Sequence, residues 1–157
     1  MIEITEEDFD ADKIIQGLRK EGVGAIVTFI GTVRDFTEMG GDERTEPVEV
    51  KQLIYECYKD MALEKMTLIR DHALVNYDIR DMTIIHRTGA LKPHEQIVMI
   101  AVGAAHRKDA FKACEYAIEE LKKSVPIWKK EVTSEKDYWI GEEGDIRDLS
   151  PKNALEE

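Results

Sequence analysis

A continuous apolar stretch, Ile97–Ala104 with the sequence IVMIAVGA, decides the fold. Eight apolar or small residues in a row are typical of a central strand that is buried on both faces. A helical pattern follows from Asp109 to Lys123, and Pro126 then ends the helix because its ring disfavours the α conformation at the preceding residue. The apolar positions of this helix predict one buried stripe: Phe111, Cys114, Ile118 and Leu121.

The rest of the chain supplies shorter strands and two more helices. Strands are predicted where β-branched residues cluster or alternate: Ile2–Thr5, Ala25–Val33, Val50–Tyr58, Met82–Thr88 and Ile127–Thr133. Amphipathic helices are predicted from Asp10 or Asp12 to about Lys20, and from Asp60 to about Asn76. Because strands and helices do not alternate strictly, this order predicts an α+β fold with a mixed, largely antiparallel sheet and about three helices.

The domain organisation follows from length and composition. A chain of 157 residues favours one domain, which we place at residues 1–148. Residues 35–49 contain Gly40-Gly41, Pro47 and mainly acidic side chains, and we expect a flexible loop within that domain. Residues 149–157 follow an acidic stretch, and we expect this tail to fray.

The charge distribution restricts the class of ligand. The net charge of −11 argues against a protein that binds nucleic acid over its whole surface. The cations are nevertheless concentrated, since residues 104–130 hold seven Lys and Arg against four Asp and Glu. An acidic protein that gathers cations in one stretch can focus positive potential on a small anionic ligand. The alternative interpretation of this stretch is a solvated, lysine-bearing helix face.

Apolar runs and cysteines indicate the compartment. The longest apolar run, nine residues at 97–105, is too short to span a membrane, and the acidic N-terminus lacks the pattern of a signal peptide. Cys57 and Cys114 do not form a CxxC motif, and we expect both to be free thiols. These features predict a cytoplasmic protein without a membrane partner.

Two short segments carry basic residues that suit an anion. His106 and Arg107 lie where the buried strand becomes a helix, and the free N–H groups of a helix N-terminus attract phosphate or carboxylate. Arg34 follows the end of its strand, and a guanidinium can bind phosphate through two parallel hydrogen bonds. The alternatives are a histidine that caps the turn beside a solvated arginine, and an edge arginine paired with Asp35.

A third basic segment, LKKSVPIWKKE at 121–131, ends a helix, turns at a proline and begins a strand. Its candidate functional residues are Lys122 and Lys129, because cations that converge in a dry pocket lower one another's pKa and can then transfer protons. If Trp128 is in the core, Lys129 on the opposite strand face must point to a cavity or to solvent. The alternative for Lys122 is the ordinary preference of lysine for helix C-termini.

The remaining polar residues predict neither a metal site nor a nucleotide motif. Three histidines lack the spacing of metal ligands: His72, His86 and His94. The sequence contains no GxGxxG, GxxxxGK[ST] or GxSxG motif. Three tyrosines are interpreted as core or rim residues rather than functional ones: Tyr55, Tyr58 and Tyr138.

Taken together, these segments resemble the large, catalytic subunit of molybdopterin synthase. The resemblance rests on FIGTVR at 29–34, AAHR at 104–107 and LKKSVPIWKKE at 121–131, and it covers about residues 2–140 in the same order. Its most specific part is the Pro-x-Trp-Lys element preceded by a lysine in the last helical turn. The acidic segment 38–49 does not match, and Trp139 is not followed by the basic residue that the family often carries.

The resemblance implies a fold, a reaction and an assembly. It implies an α/β-hammerhead fold and a central homodimer, with a small ubiquitin-like sulfur-carrier subunit on each chain, which gives a heterotetramer. It implies a sulfurtransferase in which the thiocarboxylated C-terminal Gly-Gly tail of the carrier delivers two sulfurs to cyclic pyranopterin monophosphate and forms the dithiolene of molybdopterin. We expect no metal and no cofactor, because the attacking sulfur arrives already activated.

By motif matching, Lys122 and Lys129 correspond to the essential lysines of that family, and Arg34, His106 and Arg107 to its anion-binding residues. We assign the substrate phosphate to these last three residues. Lys122 would be a proton shuttle or a transient electrophile partner, and Lys129 would stabilise negative charge at the thiocarboxylate. The alternative is a non-catalytic module that binds a phosphometabolite or a ubiquitin-like partner through the same cations.

Overall fold

The computed structural model describes residues 1–37 and 46–140, and the backbone of residues 146–147. Its elements follow in this order: β1 (Ile2–Thr5), α1 (Ala11–Leu18), β2 (Ala25–Thr32), β3 (Phe36–Thr37), β4 (Val48–Cys57), α2 (Lys59–Asn76), β5 (Ile79–Arg87), β6 (Gly89–Leu91), β7 (Gln96–Ala104), α3 (Arg107–Ser124), β8 (Ile127–Thr133), β9 (Asp137–Ile140) and β10 (Ile146–Arg147). The described residues thus contain the three predicted helices, and the α+β class is confirmed.

The first sheet has the strand order β1-β5-β7-β2, and β7 lies between two antiparallel neighbours. β1 runs parallel to β5, so the sheet is mixed, as predicted. Alternate residues of β7 face opposite layers: Ile100 packs into the main core with α2 and α3, whereas Met99 and Ala101 pack with Leu18 of α1. The prediction of a central strand buried on both faces is therefore confirmed.

The helix boundaries follow from local chemistry that the sequence contains. Asp10 is the N-cap of α1, and its carboxylate accepts a hydrogen bond from the Lys13 backbone N–H at 3.0 Å. α3 ends at Ser124, because Val125 in front of Pro126 has an extended conformation with φ −86° and ψ 125°. The predicted stop before Pro126 is confirmed, and Asp10 is the one of the two predicted caps, Asp10 or Asp12, that acts.

The buried stripe of α3 differs from the predicted one. Small residues face the first sheet together with Leu121: Ala110, Ala113, Cys114 and Ala117. Phe111 is 61% exposed, so its prediction as a core residue is wrong. The physical reason is that α3 packs directly against β2 and β7, and alanines allow this close approach where a phenylalanine does not fit.

The second sheet is antiparallel, with the strand order β10-β9-β8-β4-β3 and with β6 also paired to β4. The predicted loop 35–49 is wrong at its ends, because Phe36 pairs with Glu49 and Thr37 with Val48. Two-residue strands depend on a distant partner rather than on a local pattern, which is why sequence periodicity missed them. The centre of that predicted loop, 38–45, and the predicted tail, 149–157, lie outside the described residues.

Two further predictions concern the compartment. Cys57 and Cys114 are both free thiols, as expected. Across the described parts of the chain, no helix combines the length and the apolar character that a membrane crossing requires.

Candidate active site

A cavity of about 350 Å³, its open mouth included, lies where the ends of β2 and β7 meet the middle of β4 and β8. Its apolar wall consists of Phe36, Val50, Leu53 and Ile97. Its polar groups come from Thr32, Arg34, Tyr55, Lys129 and Glu131. Arg34 and Lys129 in this lining suit a small anionic group.

Strand pairing fixes the polar groups of the cavity. Lys129 is opposite Tyr55 across the β4–β8 ladder, and Glu131 is opposite Leu53. Because side chains alternate along a strand, Lys129 and Glu131 share the cavity face of β8. Lys130 lies on the other face and forms an ion pair with Asp137 at 3.0 Å. Of the two consecutive lysines, only Lys129 therefore faces the cavity.

The pKa of Lys129 depends on two other predicted site residues, Arg34 and Lys122. Burial lowers the pKa of the Lys129 ammonium below its ordinary value, and the negative charge of Glu131 opposes this shift. The positive charges of Arg34 and Lys122 lower the Lys129 pKa further, so both lie close enough to act on it. The structure thus brings Arg34, Lys122 and Lys129 together, from three different elements of the chain.

Lys122 and Arg34 approach this group from the solvent side. Lys122 is exposed in the last turn of α3, which ends beside the cavity. Its neighbour Lys123 is paired with Glu120 of the same helix at 3.6 Å. Arg34 is exposed just beyond the end of β2. Two exposed cations and one half-buried lysine together create a positive potential that leads into the cavity.

His106 and Arg107 lie at the opposite end of α3. His106 is the N-cap residue without a side-chain capping bond, Arg107 is the first helical residue, and both are exposed. The 18 residues of α3 span about 27 Å at the usual rise per residue. Within one chain, the structure therefore does not bring His106 and Arg107 to the cavity that contains Lys129.

Trp128 does not lie in the core, which was the condition attached to the placement of Lys129. It is 44% exposed and packs edge-on against Tyr58, with ring centroids 5.2 Å apart. Lys129 nevertheless faces the cavity, because it lies on the opposite face of β8 from Trp128.

Sequence reasoning missed two polar residues of the cavity, Tyr55 and Glu131. Tyr55 was interpreted as a core or rim residue, but it lines the cavity, and burial and the charge of Glu131 both raise its pKa. Strand alternation from Lys129 could have placed Glu131 on the same face. Tyr55 could not be found in this way, because its position opposite Lys129 depends on the register between β4 and β8.

The described residues contain no group of three or more His, Cys, Asp or Glu side chains arranged to hold a metal ion. Fold and site together define an α+β protein whose cavity is lined by two cations, Arg34 and Lys129, and has Lys122 close enough to act on Lys129. This arrangement suits small anions.

Comparison with known proteins identifies the family. The family model described as "MoaE protein" matches residues 4–124 of the chain. The molybdopterin synthase catalytic subunit of Pyrococcus abyssi is 42% identical over 139 residues, which is 88% of this chain and 87% of that protein. The chain belongs to the MoaE family.

Solved structures agree with this assignment. The X-ray crystal structure of molybdopterin synthase from Staphylococcus aureus is similar with a TM-score of 0.77 and 37% identity, and the match covers 88% of this chain and 95% of that one. The complex of subunits 1 and 2 of molybdopterin-converting factor from Helicobacter pylori matches with a TM-score of 0.67 over 88% of each chain, and at 19% identity it supports the fold alone.

Proposed function

We propose that this protein is the catalytic subunit of a molybdopterin synthase. It transfers sulfur from the thiocarboxylated C-terminus of a small ubiquitin-like carrier subunit to cyclic pyranopterin monophosphate, and the product is the molybdopterin dithiolene. The observation that carries this proposal is the half-buried Lys129, held in a cavity beside the charges of Arg34 and Lys122. Family membership and the names of the relatives support it.

The chemistry of the reaction explains the surplus of cations. The substrate carries a phosphate and the incoming sulfur is anionic, so two negative groups must approach each other closely. Arg34 binds the phosphate, and Lys129 stabilises the negative charge that develops at the thiocarboxylate. Lys122 moves protons, or acts as a transient electrophile partner, during sulfur addition. The lowered pKa of Lys129 leaves it able to give up a proton nearer to neutral pH.

His106 and Arg107 belong to the same proposal through a second copy of the chain. We propose that they bind the phosphate in the cavity of a dimer partner, because α3, which is about 27 Å long, separates them from the cavity of their own chain. Strand β2 supports a dimer, since it lies at the edge of its sheet and Ala25–Thr32 contains no charge or proline to block pairing. An antiparallel copy on that edge would bring its His106 end beside Arg34.

The carrier subunit supplies the sulfur and is the second partner. Its Gly-Gly tail must enter the cavity in an extended form to place the thiocarboxylate beside Lys129. The name of the Pyrococcus abyssi relative, a catalytic subunit of molybdopterin synthase, supports an assembly with a further subunit. We also propose a cytoplasmic location, which the free thiols of Cys57 and Cys114 support.

Reconstitution tests the activity. The protein is mixed with thiocarboxylated carrier and cyclic pyranopterin monophosphate, and the dithiolene product is measured. Lys122→Ala and Lys129→Ala each reduce turnover by about 100-fold or more, while the affinity for the pyranopterin changes little. The matched controls are the neighbouring lysines, Lys123→Ala and Lys130→Ala, which keep turnover near that of the unchanged protein. A folded protein that binds both partners without turnover would instead favour a non-catalytic binding module.

Complementation tests the role of the second copy. Arg107→Ala and Lys129→Ala inactivate different parts of the proposed composite site, so a mixed dimer contains one intact site. After the two variants are mixed and allowed to exchange chains, activity returns to a fraction of the unchanged level. If the mixture stays as inactive as each variant alone while mixed dimers are present, His106 and Arg107 do not act across the dimer.

A further inference from the structure

Tyr55 is a cavity residue to which the reaction described above gives no role. Its side chain lines the cavity from the middle of β4. Its ring also packs edge-on against the buried His86 of β5, with ring centroids 5.2 Å apart. This contact with the first sheet limits the motion of the ring, so the hydroxyl group is an ordered part of the cavity wall.

The Tyr55 hydroxyl is a hydrogen-bond donor that the described residues leave unused. Burial and the charge of Glu131 raise the pKa of Tyr55, and no hydrogen bond within the described chain contributes to this shift. The group therefore stays protonated around neutral pH and remains a donor. The fully buried side-chain atoms without a partner in the described structure are Arg87 Nε and Glu131 Oε1, so the Tyr55 oxygen is accessible from the cavity.

Lys129 lies directly opposite Tyr55 in the β4–β8 ladder, so both side chains project from the same face of the sheet. The two side chains have similar lengths, and both line the cavity. Together they present one charged and one neutral donor to a ligand at this place. A neutral donor stabilises a negative oxygen without adding the repulsion that a further cation would exert on Lys129.

The chemistry of sulfur transfer creates such a negative oxygen. When the thiocarboxylate sulfur forms a bond to a carbon of the pyranopterin, that sulfur still links the substrate to the carbonyl carbon of the carrier. Water must then add to the carbonyl carbon, and the carbonyl oxygen becomes negative until the bond between this carbon and sulfur breaks. Each transfer consumes one water, whose oxygen stays on the carrier as carboxylate, while its two protons go to the sulfur and to solvent.

We propose that the Tyr55 hydroxyl is a catalytic hydrogen-bond donor to the carbonyl oxygen at the carrier C-terminus. Tyr55 and Lys129 contact this oxygen from two opposite positions of the ladder, and the hydrogen bond from Tyr55 strengthens as the oxygen becomes negative. The inference rests on the proposed function, because it takes the thiocarboxylated carrier as the sulfur donor.

Kinetics of the full protein with Tyr55→Phe test the inference. This substitution removes the hydroxyl and keeps a ring against His86. With thiocarboxylated carrier and cyclic pyranopterin monophosphate, kcat falls by about 100-fold, while the affinity for the pyranopterin changes by less than about twofold. Because release of the sulfur is the slowed step, intact-mass spectrometry detects carrier linked to the pyranopterin at a higher level than with the unchanged protein.

Tyr58→Phe is the matched control for these measurements. Tyr58 is 67% exposed at the N-cap of α2 and does not line the cavity, so the loss of its hydroxyl leaves kcat unchanged. If Tyr55→Phe does not fold, Tyr55→Leu, which also lacks the hydroxyl, must show the same accumulation of linked carrier.

Binding of an unreactive carrier separates this inference from the proposed function. A carrier that ends in an ordinary carboxylate presents an oxygen at the same position and transfers no sulfur. Its Kd, measured by isothermal titration calorimetry, rises by about 10-fold in Tyr55→Phe and does not change in Tyr58→Phe. If the unchanged protein shows this binding pattern but no turnover, the proposed function is rejected and the hydrogen bond from Tyr55 is retained.

Two results would overturn the inference. One is a Tyr55→Phe protein with unchanged kcat and unchanged affinity for the unreactive carrier, because the hydroxyl would then contact neither the carrier nor the reacting atoms. The other is a slower reaction without accumulation of linked carrier, because Tyr55 would then act before water adds to the carbonyl carbon.

Discussion

His86 gives this protein a stability that depends on pH in a predictable window. The ring is buried against Tyr55, with centroids 5.2 Å apart, and its Nδ1–H donates a hydrogen bond to the Arg87 carbonyl at 2.7 Å. Burial lowers the pKa of His86 from 6.5 to about 4, although the hydrogen bond to Arg87 opposes this shift. Between these two values the unfolded chain binds a proton that the folded protein does not, so stability falls as the pH falls.

The size of the effect follows from the two pKa values. Proton linkage between 6.5 and about 4 removes about 2 kcal/mol of unfolding free energy by pH 5, and about 3 kcal/mol by pH 4. Asp81 does not disturb this window. Burial raises the pKa of Asp81, but hydrogen bonds from Lys20 and Arg70 lower it to about 2. The contribution of Asp81 to the free energy of unfolding is therefore lost only as the pH falls below 3.8.

Urea unfolding followed by far-UV circular dichroism measures this dependence. At one protein concentration, the unchanged protein loses about 2 kcal/mol more between pH 7 and pH 5 than the variant His86→Asn. His72→Asn is the matched control, because His72 is an exposed histidine of the same chain. Equal pH dependence in His86→Asn and the unchanged protein would refute the reasoning.

Four further substitutions test packing and charge by urea or thermal unfolding. Lys129→Met raises the unfolding free energy at pH 7, because it removes a partly buried charge. This gain shrinks as the pH rises toward 10.5, where the lysine of the unfolded chain also becomes neutral. Gly24→Ala lowers stability by about 1–3 kcal/mol, since its Cβ would lie 2.5 Å from the Ala105 carbonyl oxygen, whereas Gly17→Ala in open space raises it by about 1 kcal/mol. Asp10→Ala costs about 1 kcal/mol through the lost cap of α1. Opposite signs for Lys129→Met or for the glycine pair, or no loss for Asp10→Ala, would contradict these assignments.

Local chemistry made much of the fold predictable. The apolar run at Ile97–Ala104, the Asp10 cap and the stop at Pro126 each act within a few residues, so their effects can be derived from the sequence. The short strands β3 and β6 and the turned-out side chain of Phe111 depend on partners far along the chain. Such partners are fixed by tertiary packing, which periodicity does not encode.

The candidate site divides in the same way. Lys129 could be predicted because strand alternation beside Trp128 determines its face, even though Trp128 itself is exposed rather than buried. Tyr55 could not be predicted, since its place in the cavity depends on the register of two strands that 69 residues of the chain separate. The sequence motifs therefore indicated the cations of the candidate site, whereas the pairing of β4 with β8 determined which uncharged and acidic residues lie beside them.

Helix α3 connects these observations, because its alanine face determines where both of its ends lie. Ala110, Ala113 and Ala117 are completely buried, which lets the helix pack closely on β7 and β2 of the first sheet. Its C-terminal turn places Lys122 close enough to act on Lys129, whereas His106 and Arg107 lie at its other end. A straight helix of about 27 Å cannot serve one small ligand with both ends. If all of these cations act on the same phosphate and sulfur, as we propose, the active unit must contain two copies of the chain.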